Sequence, residues 1–149
     1  MSEAKELYYN YVDCTLSKKD TAELIDLLLR SGCSVEDKHD YHATIIYDPR
    51  KEAIKAPVAT FESGKEIKAH VIGFQLMGDG SPALLLNSRE MYVEHMRLKE
   101  AGLQHSYPDF LPHLSIGYDV DQYEIEKLKI VLADYAGKEL TFVNIGYGH

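Results

Sequence analysis

Apolar positions recur along this chain with two periods, and the alternation between them lays out its elements. Residues 8–15 (YYNYVDCT) alternate and predict a strand, with Tyr9, Tyr11, Asp13 and Thr15 on one face and Tyr8, Asn10, Val12 and Cys14 on the other. Ser17-Lys18-Lys19-Asp20 then offers an N-cap, with acids at Asp20 and Glu23. Residues 21–30 (TAELIDLLLR) carry Leu24, Ile25, Leu27, Leu28 and Leu29, a buried helix face that Gly32 ends. A short β-rich run follows at 41–47 (YHATIIY), and 48–64 has no clean period, two prolines and several charges. That stretch reads as a loop, with a short strand at 57–61. Residues 66–77 alternate again, 82–86 supply a partner strand, and Gly78-Asp79-Gly80 makes the hairpin turn between them. Residues 88–101 read as a second helix, capped by Ser88 and stopped by Gly102. A second β-rich run lies at 113–118 (HLSIGY), a third helix at 121–135 ended by Gly137, and a last strand at 140–145. The order predicts an α+β fold of two related halves around a central cleft. No linker rich in Gly, Ser or Pro divides the chain, so 1–149 reads as a single domain.

Composition narrows the function classes. The net charge of −8 excludes the extended basic surface that grips long nucleic acid. It leaves room for a small anion in a local basic pocket, and Lys18 and Lys19, directly after the first strand, are the cations of interest. No apolar run approaches membrane-spanning length, and MSEAKELYYN lacks the basic-then-apolar pattern of an export signal. The chain is therefore expected in the cytoplasm, with Cys14 and Cys33 as free thiols. Of the eleven Tyr, most are expected to be partly buried packing residues; were the ligand a nucleotide, an acidic chain such as this would draw affinity from stacking on aromatic rings rather than from charge.

Two short patterns carry the chemistry: His42-Ala43-Thr44-Ile45 and Pro112-His113-Leu114-Ser115-Ile116. In a strand, His42 and Thr44 share one face while Ala43 and Ile45 face the core, and His113 and Ser115 do the same opposite Leu114 and Ile116. Side by side, the two strands would give one cleft two imidazoles and two hydroxyls. Those groups are a general acid, a general base and two phosphate-binding donors, with no metal or other cofactor required. One His-x-[Ser/Thr] among seven histidines carries little weight by itself. The context adds weight: each copy opens a β-rich run, and each run ends in a Tyr-Asp pair, Tyr47-Asp48 and Tyr118-Asp119. His39 and His42, three apart, would face opposite ways in a strand and so do not make a metal pair. No His-Glu-x-x-His, zinc-type cysteine spacing or Walker loop is present. His70, His95, His105 and His149 read as surface or internally satisfied histidines.

The paired motifs resemble those of the 2H phosphoesterase superfamily, in which Pro often precedes the second His. The opening Lys5-Glu6-Leu7-Tyr8-Tyr9-Asn10-Tyr11-Val12, followed by Lys18-Lys19-Asp20 and a helix, is similar to the superfamily's phage anti-CBASS branch. That branch degrades the cyclic oligonucleotide signals of bacterial antiphage immunity. Ser115 departs from the Thr that is common there, keeping the hydroxyl and losing a methyl. The resemblance implies two pseudo-symmetric lobes of antiparallel sheet, and catalytic roles for His42, Thr44, His113 and Ser115. It also implies a small cyclic-nucleotide partner cut at 3′-5′ linkages, in a host bacterial cytoplasm if the source is a phage. Tyr11 resembles the branch's base-stacking tyrosine; Lys18, Phe74 and Tyr147 are further candidates for binding substrate. The alternatives are an RNA 2′,3′-cyclic phosphodiesterase or 2′-5′ RNA-processing enzyme, a nucleotide sponge that binds without cutting, and an adaptor domain with chance motifs.

Overall fold

The computed structural model describes residues 6–35, 41–50, 54–57, 66–105, 110–118 and 120–148. Among these residues eight strands run β1 (Glu6–Tyr9), β2 (Tyr11–Leu16), β3 (His42–Tyr47), β4 (Ile54–Pro57), β5 (Ile67–Leu76), β6 (Pro82–Asn87), β7 (His113–Ser115) and β8 (Glu139–Gly148). Helices α1 (Lys18–Arg30), α2 (Arg89–Glu100) and α3 (Gln122–Val131) lie between them, with one 3-10 turn at Ala133–Tyr135. Six strands close into an antiparallel barrel in the order β2-β3-β7-β6-β5-β8, and β1 and β4 form a separate pair. The fold is thus mixed α+β.

The predicted strand 8–15 is broken at Asn10, where the amide donates to Gly148 O (2.9 Å) and the carbonyl accepts from the Asp48 amide (2.8 Å). The break resets the alternation. Tyr9, expected beside Tyr11, is 1% exposed and packs in the core, while Tyr11, Asp13 and Thr15 remain on a half-buried polar row. The region read as a loop contains β4, antiparallel to β1, whereas most of the strand predicted at 57–61 falls outside the described residues. Helix α1 starts earlier than the apolar pattern implied, because the Ser17 hydroxyl accepts from the Asp20 amide at 3.2 Å. Ser88 caps α2 in the same way, accepting from Met91. The Gly78–Gly80 turn closes β5 onto β6, with Gly80 at φ +86° and its amide on Met77 O. The predicted third helix stops at Val131 and continues as the 3-10 turn.

Strand β8 extends past both predicted ends because it serves two neighbours. Its first residues pair with β5 (Ile67↔Phe142, Ala69↔Leu140) and its later ones with β2 (Val12↔Tyr147, Tyr11↔Gly148). Asn144 takes φ +52° where the β2–β8 register shifts. One core holds the apolar row of the sheet (Val12, Cys14, Ala43, Ile45, Leu84, Leu114, Phe142) together with Leu24, Leu28, Met91, Leu98 and Leu128 of the helices. Burying each Val, Leu, Ile, Phe or Met among them contributes about 1.5–3 kcal/mol. The alternate row of the sheet is turned away from that core. Cys14 and Cys33 are buried free thiols, and burial pushes Cys14 up to about 12. No helix among the described residues is long and apolar enough to cross a membrane.

Candidate functional site

The two His strands are neighbours. β3 and β7 run antiparallel and are joined through one residue pair, Ala43↔Leu114, both fully buried. Since Ala43 and Leu114 face the core, the residues on either side of each face the other way. Antiparallel stepping from that pair runs His42 towards Ser115 and Thr44 towards His113. All four side chains are half-buried. Across the other edge of β3, Thr15 pairs with His42 and Asp13 with Thr44, so the polar row of β2 continues the same face.

A cleft of about 970 Å³ opens over this face, lined by Thr44, His113 and Ser115, with Tyr11, Tyr47 and Tyr118 around them. His42 is not among its lining residues; it sits on the same face at the Thr15 end of the strand. The Tyr11 hydroxyl lies 3.1 Å from Thr44 Oγ1, and its ring meets Tyr47 edge-on with centroids 6.1 Å apart. Burial, reinforced by Asp13, pushes the Tyr11 hydroxyl up to about 12, although the Thr44 contact opposes the shift. Tyr11 therefore keeps its proton at physiological pH. Gly146, paired with Asp13, sits close under that side chain: a Cβ there would come 2.8 Å from Asp13 Oδ1 and the carboxylate would have to shift. The His113 ring is oriented by Nδ1, 2.8 Å from the Leu111 carbonyl. An N–H at that nitrogen donates to the carbonyl and leaves Nε2 as the ring nitrogen available for proton transfer. On the rim, Asp79 is held below the usual carboxylate range, first by the Ser81 amide and more weakly by His113.

Three of the sequence candidates lie elsewhere. Tyr147 pairs with Val12 on the core row and packs edge-on against Tyr9 with centroids 4.8 Å apart, near the Arg97–Glu94 ion pair. Phe74 pairs with fully buried Leu84 and packs against the core. Lys18 is exposed in the first turn of α1 and does not line the cleft. In each case alternation alone could not say which row a residue joins. The bulges in β5 and β8 and the start of α1 decide it.

The structure also brings to the site residues that had no part in it by sequence alone. His95 of α2 is 3% exposed, its Nδ1 lies 2.7 Å from the Ile45 carbonyl, and its ring stacks on Phe110 at 4.0 Å and 4°. His105 meets His95 edge-on at 4.8 Å and accepts the Tyr47 amide at Nδ1. Burial first, then the neighbouring His95 and Lys99, push His105 down to about 4, so it is neutral at physiological pH. His105 and Phe110 both line the cleft. Asp48 closes the end of β3: its carboxylate takes the Arg50 guanidinium at 2.6 Å and the Gln104 amide at 2.8 Å. One sequence signal did point here, since both tyrosines of the repeated Tyr-Asp pairs, Tyr47 and Tyr118, line the cleft.

The chain matches the family described as anti-CBASS protein Acb1 over residues 9–140. It belongs to the Acb1 family. That span contains Tyr11, both His motifs and the whole β3–β7 junction. Among relatives, the anti-CBASS protein Acb1 of Caulobacter sp. (strain RHG1) is 35% identical over 63 residues, which are 42% of this chain and 9% of that protein. This Acb1-family chain thus corresponds to a small part of that relative's length. What its face offers chemically is two imidazoles able to take and give protons, two aliphatic hydroxyls able to donate to an anion, and a protonated tyrosine beside them.

Proposed function

We propose that this chain is a metal-independent phosphodiesterase of the 2H type that hydrolyses 3′-5′ linkages in cyclic di- and trinucleotides, and so blocks CBASS defence. The reading is supported most by the Ala43↔Leu114 pair, because that register turns two imidazoles and two hydroxyls to one face. Family membership supports the biological role.

A ribonucleotide diester carries its own nucleophile, the 2′-hydroxyl next to the phosphate. One neutral histidine takes that proton while the other, protonated, gives one to the leaving 5′-oxygen. The bond from the 2′-oxygen to phosphorus forms as the bond to the 5′-oxygen breaks. Thr44 and Ser115 donate to the non-bridging oxygens as charge builds on the phosphorane. With the histidines in reversed roles, one then takes a proton from water as its oxygen bonds to the phosphorus of the cyclic 2′,3′-phosphate, and a ring P–O bond breaks with the other histidine protonating the departing ribose oxygen. The rate should peak where one imidazole is charged and the other is not. The Tyr11 ring stacks on a base, worth about 1–3 kcal/mol. Lys18, Phe74 and Tyr147 take no part in this reading.

The test is incubation with cyclic di- and trinucleotides and adenosine 2′,3′-cyclic phosphate in excess EDTA, with His42→Ala and His113→Ala alongside. The expected outcome is cleavage of the cyclic oligonucleotides, reduced roughly 10²-fold or more in each folded variant. Cleavage of the mononucleotide alone would make the protein an RNA end-processing enzyme. Tight binding without turnover would make it a sponge, and neither binding nor turnover would overturn the reading.

A further inference from the structure

A second, smaller cavity of about 370 Å³ adjoins the cleft and shares Phe110 and Leu111 with it. It starts one strand from the His pair: Leu85, which lines it, pairs with His113 across β6 and β7. Paired residues in neighbouring strands share a face at a strand spacing of about 5 Å, so the groove extends the same surface. Its walls are apolar and unusually exposed, with Ile72 at 60%, Tyr92 at 56% and Leu111 at 55%. Arg89 lines it too, one helical turn before Tyr92 on α2. Arg50, Lys68 and Arg97 are each held by carboxylates, whereas Arg89 makes no ion pair or hydrogen bond among the described residues. In a chain of net charge −8, a free guanidinium beside an exposed tyrosine and an apolar wall is a combination suited to a nucleotide.

We propose that this groove is a second nucleotide subsite, in which Tyr92 stacks on a base and Arg89 pairs with the phosphate next to the one held at His113. The proposal rests on the cyclic-oligonucleotide reading of the cleft and adds how the remainder of the ring is gripped. A linear monophosphate filling the cleft alone would leave the groove empty; a cyclic ligand carries a neighbouring phosphate towards it.

The experiment is calorimetric binding of a hydrolysis-resistant phosphorothioate cyclic dinucleotide to the full chain. Wild type is compared with Arg89→Glu, Arg89→Lys and Tyr92→Ala. Lys129→Glu, an exposed residue of α3 outside both cavities, reports the effect of the same charge change elsewhere. Binding is expected to weaken about tenfold in Tyr92→Ala and more in Arg89→Glu, with Arg89→Lys intermediate and Lys129→Glu within twofold of wild type. Melting curves of each variant establish that it is folded. Wild-type binding with equal affinities for Arg89→Glu and Lys129→Glu would overturn the subsite and leave the cleft reading standing. No binding by wild type would remove the cleft reading and the subsite together.

Discussion

Asp48 is fully buried, yet it keeps its charge, because Arg50 approaches both carboxylate oxygens and the Arg50 and Gln104 amides add two more donors. The Arg50 guanidinium is the main reason that its carboxyl is held down at about 2. A depressed carboxyl stabilises the fold above its unfolded value of 3.8, and that stability is lost as the pH falls towards 2. Asp48→Asn keeps the shape and removes the charge. It should cost roughly 2–3 kcal/mol in urea unfolding at pH 7. At pH 2 the variant and wild type should converge. Equal stability at pH 7 would show that the Arg50 pair contributes nothing. In the sequence Asp48 was visible as half of a repeated Tyr-Asp pair, but its role was not, since Gln104 lies 56 positions away.

At the scale of elements, the weak point is the junction of the two motif strands, which share a single backbone pair. Helix α2 reinforces it from the core side. The His95 ring holds the Ile45 carbonyl of β3 and stacks on Phe110, three residues before His113, while His105 holds the Tyr47 amide. His95→Phe keeps a flat ring for the stack and removes the donor to Ile45. It should cost about 1–3 kcal/mol of unfolding free energy, the usual penalty for an unpaired buried carbonyl. Amide exchange should also quicken in β3 more than in α1. Unchanged exchange in β3 would show that the junction does not depend on the imidazole. The signal for this residue was present in the chain, because Met91, His95 and Leu98 follow helical spacing and form the buried stripe of α2. What the stripe touches could not be read from it.

At the scale of the whole molecule, buried His95 and half-buried His105 shape the stability profile just below neutral pH. Burial lowers His95 below its ordinary value and His105 to about 4. A histidine with a depressed folded value adds no cost while both states are neutral. It destabilises as the pH falls through the unfolded value near ~6.5, and the cost is complete below the folded value. Calorimetric melting temperatures should therefore decline between pH 7 and pH 4.5, before Asp48 begins to titrate. His105→Gln, which can still accept the Tyr47 amide, should flatten part of that decline. A wild-type melting temperature independent of pH over this range would count against the two imidazoles being held neutral.

The sequence by itself determined the helices, the β5–β6 hairpin and the two His-x-[Thr/Ser] faces, since these follow from spacing within a few residues and from caps such as Ser17 and Ser88. It also determined that Tyr11, Asp13 and Thr15 would share a polar row. Tertiary structure alone decided the rest. Tyr9 went to the core and Tyr147 packed against it because chain breaks and bulges reset an alternation that periodicity assumes is continuous. Asp48, His95 and His105 joined the surroundings of the cleft because their partners are brought in by strand pairing and helix packing from far along the chain. The meeting of His42 and Thr44 with His113 and Ser115 depends on the same long-range step: the pattern gives each strand a face, and only the Ala43↔Leu114 register makes the two faces one.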